Sequence, residues 1–135
     1  MVTNPVARHS EEITVDECLQ LLKTKSLGRL AYVVSGKPRM RPLNYGVHQG
    51  SVVFRIGYGE LLDEVHQRQV VFEVDHGERE ARAGWSVIVH GIAEEIWRFD
   101  DLSLAREMGL QPWAPGNRDH YVRIVPTAIT GRRVG

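Results

Sequence analysis

The chain has 135 residues, with 17 lysines and arginines against 17 aspartates and glutamates, 42% hydrophobic and 25% charged residues. A zero net charge excludes a binder that holds nucleic acid by general phosphate neutralisation, although it leaves room for a local anion site. The length suits one domain with its own core; no apolar run approaches the roughly 20 residues that span a bilayer, and the first twelve residues lack an apolar signal core, so the expectation is a cytoplasmic protein.

Residues 1–12 are polar, carry Pro5, and are expected to form a loose arm. Thr14 followed three residues later by Glu17 matches a capping box. It predicts a helix that buries Val15, Cys18, Leu19 and Leu22 on one stripe and ends near Lys25. Lys23 and Lys25 would then sit favourably in its last turn. Cys18 has no second cysteine to pair with and is expected as a buried, inert thiol in a reducing compartment. Residues 27–35 read as a strand by their β-branched and aromatic content, and residues 36–38 as a turn.

Leu43, Tyr45 and Val47 then alternate with Asn44, Gly46 and His48, the period of a strand with one buried face. Pro42 has no N–H for a ladder and marks an edge, a bulge or a ligand-facing position. Gln49-Gly50 makes a hairpin turn. Val52, Phe54 and Ile56 alternate with Val53, Arg55 and Gly57, and a short helix follows from Glu60 to Val65. Further strands are expected at 70–75, at 84–97 with a bulge at Gly91, and at 121–125, closed by Pro126. A charged loop spans 76–83, a helix capped by Asp100 spans 100–108, a proline-rich loop spans 109–118, and a last short strand lies within 128–133. Six β runs with hairpin connections and a few short helices predict a mainly β protein, an antiparallel barrel.

The familiar catalytic motifs are missing. Gly84-Trp85-Ser86-Val87-Ile88 lacks the second glycine of a nucleophile elbow and continues as a strand. Gly57-Tyr58-Gly59 with Leu62 is not a dinucleotide fingerprint, and none of the six histidines stands at metal-ligand spacing. No protein acid, base, nucleophile or metal ligand is assigned. Arg55 is the odd residue: a fixed cation at the end of an apolar strand, before a glycine-rich turn into a helix start. Such a turn offers backbone N–H groups to an anion, and a guanidinium suits a phosphate. Arg39 and Arg41 share one strand face, either solvated or against an anion. Trp85 and Trp113 are each either core plugs or walls for a planar ligand.

The fragments LGRLAYV at 27–33, P-x-x-x-P-L-N-Y at 38–45, V-V-F-R at 52–55, F-E-V-D at 72–75, G-W-S-V at 84–87, P-W-A-P-G-x-R-D-H at 112–120 and T-G-R-R at 130–133 occur in a distinctive order. From about residue 19 to residue 133 the chain resembles the pyridoxamine 5'-phosphate oxidase-like family of flavin-binding split β-barrels, and within it the small actinobacterial-type branch. The resemblance implies a split barrel that forms a homodimer, with FMN between the subunits. It implies a flavin-dependent oxidoreductase acting on a small molecule by hydride transfer, with no nucleic acid or membrane partner.

The cofactor-binding set it implies is Arg41, Pro42, Leu43, Asn44 and Tyr45 along the ring, Phe54, Arg55, Ile56, Gly59 and Leu61 around the phosphate, and Trp85, Ser86 and Trp113 from the partner subunit. The family commonly has Thr or Ser at the position of Ile56 and Lys at that of Leu61. Losing two charge-assisted contacts weakens FMN binding by roughly a hundredfold. A deazaflavin-dependent reductase, or a non-catalytic small-ligand protein with an altered phosphate pocket, are the alternatives.

Overall fold

A computed structural model describes residues 10–57, 59–112 and 120–135. The elements in chain order are β1 (Ser10–Ile13), α1 (Val15–Leu22), β2 (Leu27–Val34), β3 (Lys37–His48), β4 (Ser51–Ile56), α2 (Glu60–Val65), β5 (Arg68–Glu78), β6 (Ala83–Glu95), α3 (Phe99–Glu107) and β7 (His120–Val134).

Thr14 caps α1 as its spacing predicts, its hydroxyl accepting from the N–H of Glu17 at 3.2 Å. The helix stops at Leu22, short of the expected Lys25, so Lys23 and Lys25 lie beyond its last turn. Side chains satisfy its final carbonyls: Thr24 Oγ1 donates to Leu21 O at 2.6 Å and the Tyr45 hydroxyl donates to Leu22 O at 2.5 Å. Cys18 and Leu22 are buried, while Val15, expected inside, is 49% exposed. Burial pushes the Cys18 thiol pKa up, with Glu17 adding to the effect.

Both tight hairpins turn on residues with positive φ, Ser35-Gly36 and Gln49-Gly50. This is the mirror-image turn whose twist matches that of the flanking strands. The first turn is therefore one residue earlier than expected, and β3 begins at Lys37.

The strands form one antiparallel sheet in the order β1-β7-β4-β3-β2-β5-β6, and β6 also pairs with β7, which closes the barrel. Residues 10–12, expected in the loose arm, are part of β1, where Glu12 pairs with Arg132 and Ile13 with Gly131. A side chain at Gly131 would collide with Cys18 Sγ and Ile13, which is how α1 and β1 lie so close to β7. β5 runs on to Glu78 into the expected loop, and α3 begins at Phe99 without a side-chain cap, not at a capping Asp100. Pro126 does not end the seventh strand, and the two segments expected around it are one. Gly91 faces Pro126 and His90 faces Ala128, which leaves Thr127 as the extra residue of a bulge. The Thr127 hydroxyl donates to His90 O at 3.2 Å, so the break in the ladder leaves that carbonyl satisfied.

The main core fills the barrel and is led by Phe54, Phe72, Leu22, Leu30, Ile56 and Ile124. α2 closes one part of it with Leu61, Leu62 and Val65. A smaller cluster of Val53, Ile96, Ala105 and Tyr121 lies on the other face of β4 and β7, under α3. Among the described residues no helix is long and apolar enough to cross a membrane.

Tyr45 joins three parts of this core, since its ring meets Phe72 edge-on at 5.1 Å and its hydroxyl caps α1. Burial moves its pKa upward, which keeps the phenol a donor. Tyr45→Phe leaves Leu22 O without that donor and should cost about 1–2 kcal/mol in urea denaturation; an unchanged midpoint would show that water replaces the hydroxyl.

Candidate functional site

β3 changes partners along its length. Residues Lys37 to Asn44 pair with β2, and Tyr45 to His48 pair with β4. β4 leaves β3 after Phe54 and continues along β7 through Arg55 and Ile56. The two strands therefore diverge, and a split opens between the edge of β3 and the end of β4 with α2. The N–H of Tyr45 donates to Ser26 O, toward β2, at 3.1 Å. Hydrogen-bond direction alternates along a strand, so Arg41 and Leu43 also face β2, while the backbone groups of Met40, Pro42 and Asn44 face the split. Pro42 thus removes no bond from the β2 ladder, which explains how it is tolerated in a twelve-residue strand.

The implied site residues sort into several places around this split. Pro42 and Asn44 lie on its β3 bank, and the Asn44 side chain donates to Ser26 O at 3.3 Å. Leu43 and Tyr45 turn toward the barrel interior, and Arg41, on the same strand face but exposed, donates from Nε to the hydroxyl of buried Tyr32 at 3.2 Å. Arg39, on the same face, stands 3.9 Å from Glu64 of α2 and so links the β3 bank to that helix. The other carboxylate oxygen of Glu64, Oε1, is buried without a hydrogen-bond partner.

On the β4 bank, Phe54, Ile56 and Leu61 all belong to the hydrophobic core, with Ile56 1% and Leu61 7% exposed. Arg55 points to the opposite face: its Nη1 donates to Leu110 O at 3.3 Å and its guanidinium lies 5.6 Å from the centre of the Tyr121 ring. Gly59 opens α2 with φ of 150°, a conformation suited to glycine.

Trp85 and Ser86 are adjacent on β6 and so face opposite sides. Trp85 packs against the main core beside an open recess of about 660 Å³ that His76 and Arg133 also line. Lys25 Nζ donates to His76 Nδ1 at 2.8 Å, which leaves Nε2–H to donate to Glu78 at 3.0 Å. Ser86 falls on the outward face, in register with Asp75 and Arg132. Trp113 lies outside the described residues.

That outward face carries an acidic pair unforeseen from sequence. Glu73 and Asp75 stand 3.4 and 3.8 Å from Arg29. Burial, then the neighbouring Asp75, pushes the Glu73 pKa up to about 7, against the opposing pull of Arg29. The alternation of Val70, Phe72 and Val74 with Val71, Glu73 and Asp75 was the available signal, but the strand neighbours of Glu73 could not be read from it. Glu64 and its link to Arg39 had no sequence signal beyond an acidic helix residue.

Comparison with known proteins gives a consistent family. A family model described as pyridoxamine 5'-phosphate oxidase matches residues 14–133. A Mycobacterium smegmatis protein of known structure, described as FAD-binding, is 37% identical with a TM-score of 0.81, over 91% of this chain and 98% of that one. A Mesorhizobium loti protein, also described as FAD-binding, shares the fold at 23% identity and a TM-score of 0.78, over 96% of this chain and 99% of its own. An uncharacterised Mycobacterium tuberculosis protein is 29% identical over 95% of this chain and 88% of its own.

Two outcomes follow from this geometry. Leu61→Lys places an ammonium where a core side chain sits and should destabilise the unliganded protein by roughly 2 kcal/mol or more in urea; an unchanged midpoint would mean that the lysine reaches solvent. Because the folded-state pKa of Glu73 is raised, its proton favours the folded state. Its contribution is full below the ordinary carboxylate value and is lost as the pH rises through about 7. Thermal stability should therefore fall between pH 4.5 and 7 from this group, and Glu73→Gln should flatten that slope; an identical slope in the variant would assign it elsewhere.

Proposed function

This chain belongs to the pyridoxamine 5'-phosphate oxidase family, and we propose that it is a flavin-dependent oxidoreductase that holds its cofactor in the split between β3 and β4. The observation that carries the reading is the divergence of these strands, which presents the edge of Met40, Pro42 and Asn44 to the gap. A strand edge offers alternating donors and acceptors in a line, which suits the polar edge of a planar ring system. Relatives described as FAD-binding support it.

The residues fit such a group on the β3 bank and fit it differently from expectation on the β4 bank. The side chains of Ile56 and Leu61 are in the core and offer a phosphate neither charge nor hydrogen bond. Arg41, on the β3 bank, donates to the neutral hydroxyl of Tyr32, and it takes the phosphate role. Arg55, on the α3 side, is a second contact for a longer cofactor tail. FMN ends in a phosphate monoester of nearly two negative charges, whereas FAD spreads its charge over two phosphates, so this set of contacts favours FAD over FMN. When bound, the flavin supplies hydride transfer. The protein orients the ring along β3, excludes water with Leu43 and Tyr45, and balances charge with Arg41.

The homodimer belongs to the same proposal. The outward face of β2, β5 and β6 carries Ala31, Val71 and Ile88, and Val33 and Met40 are 56% and 65% exposed beside them. A second subunit on this face would cover them and bring its own Ser86 and Asp75 to the same region.

The test is an absorbance spectrum of the purified protein, then titration with FAD, FMN and a deazaflavin, with mass measured by light scattering. The expected result is a dimer that binds FAD more tightly than FMN. Arg41→Ala should weaken FAD by about tenfold, the worth of one charge-assisted contact. Preference for the deazaflavin would reassign the cofactor, and no binding of any of the three would leave a non-catalytic ligand protein.

A further inference from the structure

The apolar side of α2 is taken up by the core, where Leu61, Leu62 and Val65 close the barrel. Glu64 belongs to the same short helix, and only 15% of its side chain is exposed. One carboxylate oxygen, Oε1, is buried without a hydrogen-bond partner. The other, Oε2, stands 3.9 Å from Arg39 Nη1, a charge contact longer than a hydrogen bond. Among the described residues Arg39 is the counter-charge of Glu64. A carboxylate withdrawn from water and short of hydrogen bonds depends on its cation, because releasing that cation leaves the charge uncompensated. Glu64 therefore holds Arg39 more firmly than a fully exposed carboxylate at the same distance would.

Arg39 and Arg41 differ in this respect. They are two residues apart on one face of β3, about 7 Å along the strand, and both are exposed. Arg41 donates to a neutral hydroxyl, that of Tyr32, and keeps its charge for a ligand. Arg39 has its charge balanced by Glu64.

We propose that Glu64 is a positioning residue that withholds Arg39 from the cofactor phosphate and so sets the choice between flavins. The inference rests on the reading that a flavin lies along β3 with its phosphate at Arg41. A phosphate monoester carries nearly two negative charges and is best served by two guanidiniums. Each phosphate of a dinucleotide bridge carries one charge and is served by one guanidinium. With Arg39 held by Glu64, this pair of arginines offers one uncompensated cation, which favours FAD over FMN.

The test is titration of the full chain with FMN, FAD and riboflavin, followed by flavin fluorescence. It compares the unaltered protein, Glu64→Gln, and Glu64→Gln combined with Arg39→Gln. Glu64→Gln keeps the shape of the side chain and removes its charge, so it frees Arg39. FMN should then bind about tenfold more tightly, the worth of one charge-assisted contact. FAD should gain less, and riboflavin, which has no phosphate, should not change. In the double variant the FMN gain should vanish. A riboflavin gain equal to that of FMN would mark a change in the shape of the site. An FMN gain that survives the loss of Arg39 would mark direct repulsion by Glu64. Either result, or no FMN gain at all, overturns the inference. The unaltered protein decides the matter even if Glu64→Gln fails to fold: FMN should bind about tenfold more tightly than riboflavin, the worth of one cation, and an advantage of about a hundredfold, the worth of two, would show that Arg39 is not withheld. Failure of all three flavins to bind would overturn the cofactor reading and this inference with it, whereas flavin binding with no response to Glu64→Gln overturns this inference alone.

Discussion

Tyr45 is where the barrel and its split are joined. Its N–H bonds Ser26 just before β2, its hydroxyl bonds the end of α1, its ring meets Phe72 of β5, and it pairs with Phe54 of β4. One residue earlier β3 pairs with β2; from this residue onward it pairs with β4. A strand can change partners only if something holds it while one ladder ends and the next begins. Here that role falls to a large side chain with a polar tip, buried among apolar neighbours and still hydrogen-bonded.

Strand alternation separates the two faces of β4. Arg55 and Ile56 are neighbours in a segment that reads as an anion clamp, yet a strand sends them to opposite faces. Ile56 fills the barrel with Phe54, and Arg55 braces the chain after α3 through Leu110 and Tyr121. An apolar residue at 56 and another at 61 extend the core over α2, so their side chains fill the barrel and present no charge at this turn. Arg39 and Arg41 share a face because they are two apart, and the α2 carboxylate of Glu64 stands next to the first of them.

The two faces of the sheet also carry different chemistry. Inside, side chains interlock around Phe54 and Phe72 with two short helices as plugs. Outside, one region presents Arg29, Glu73 and Asp75 with small and apolar neighbours, and another lies under α3 with a cavity. The raised Glu73 pKa and the unpaired His48 nitrogen have one origin. Each is a polar group on a face that its neighbours have partly withdrawn from water.

The sequence by itself determined the strands from period-2 alternation, the start of α1 from Thr14 and Glu17, the hairpin at Gln49-Gly50, and the family from the order of its fragments. These are local signals, carried by residues a few positions apart. Boundaries slipped where a distant group intervened. α1 stops early because Thr24 and Tyr45 supply its last carbonyls, and β7 passes through Pro126 because Thr127 forms a bulge bonded to His90. β1 exists because Gly131 leaves room for Ile13 and Cys18. Only the tertiary structure decided that β3 and β4 diverge, that Ile56 and Leu61 are core, and that His48 lies beside a cavity. Each of these depends on which strand or helix lies next to a residue, and pairing across dozens of residues leaves no mark on the spacing of any one segment.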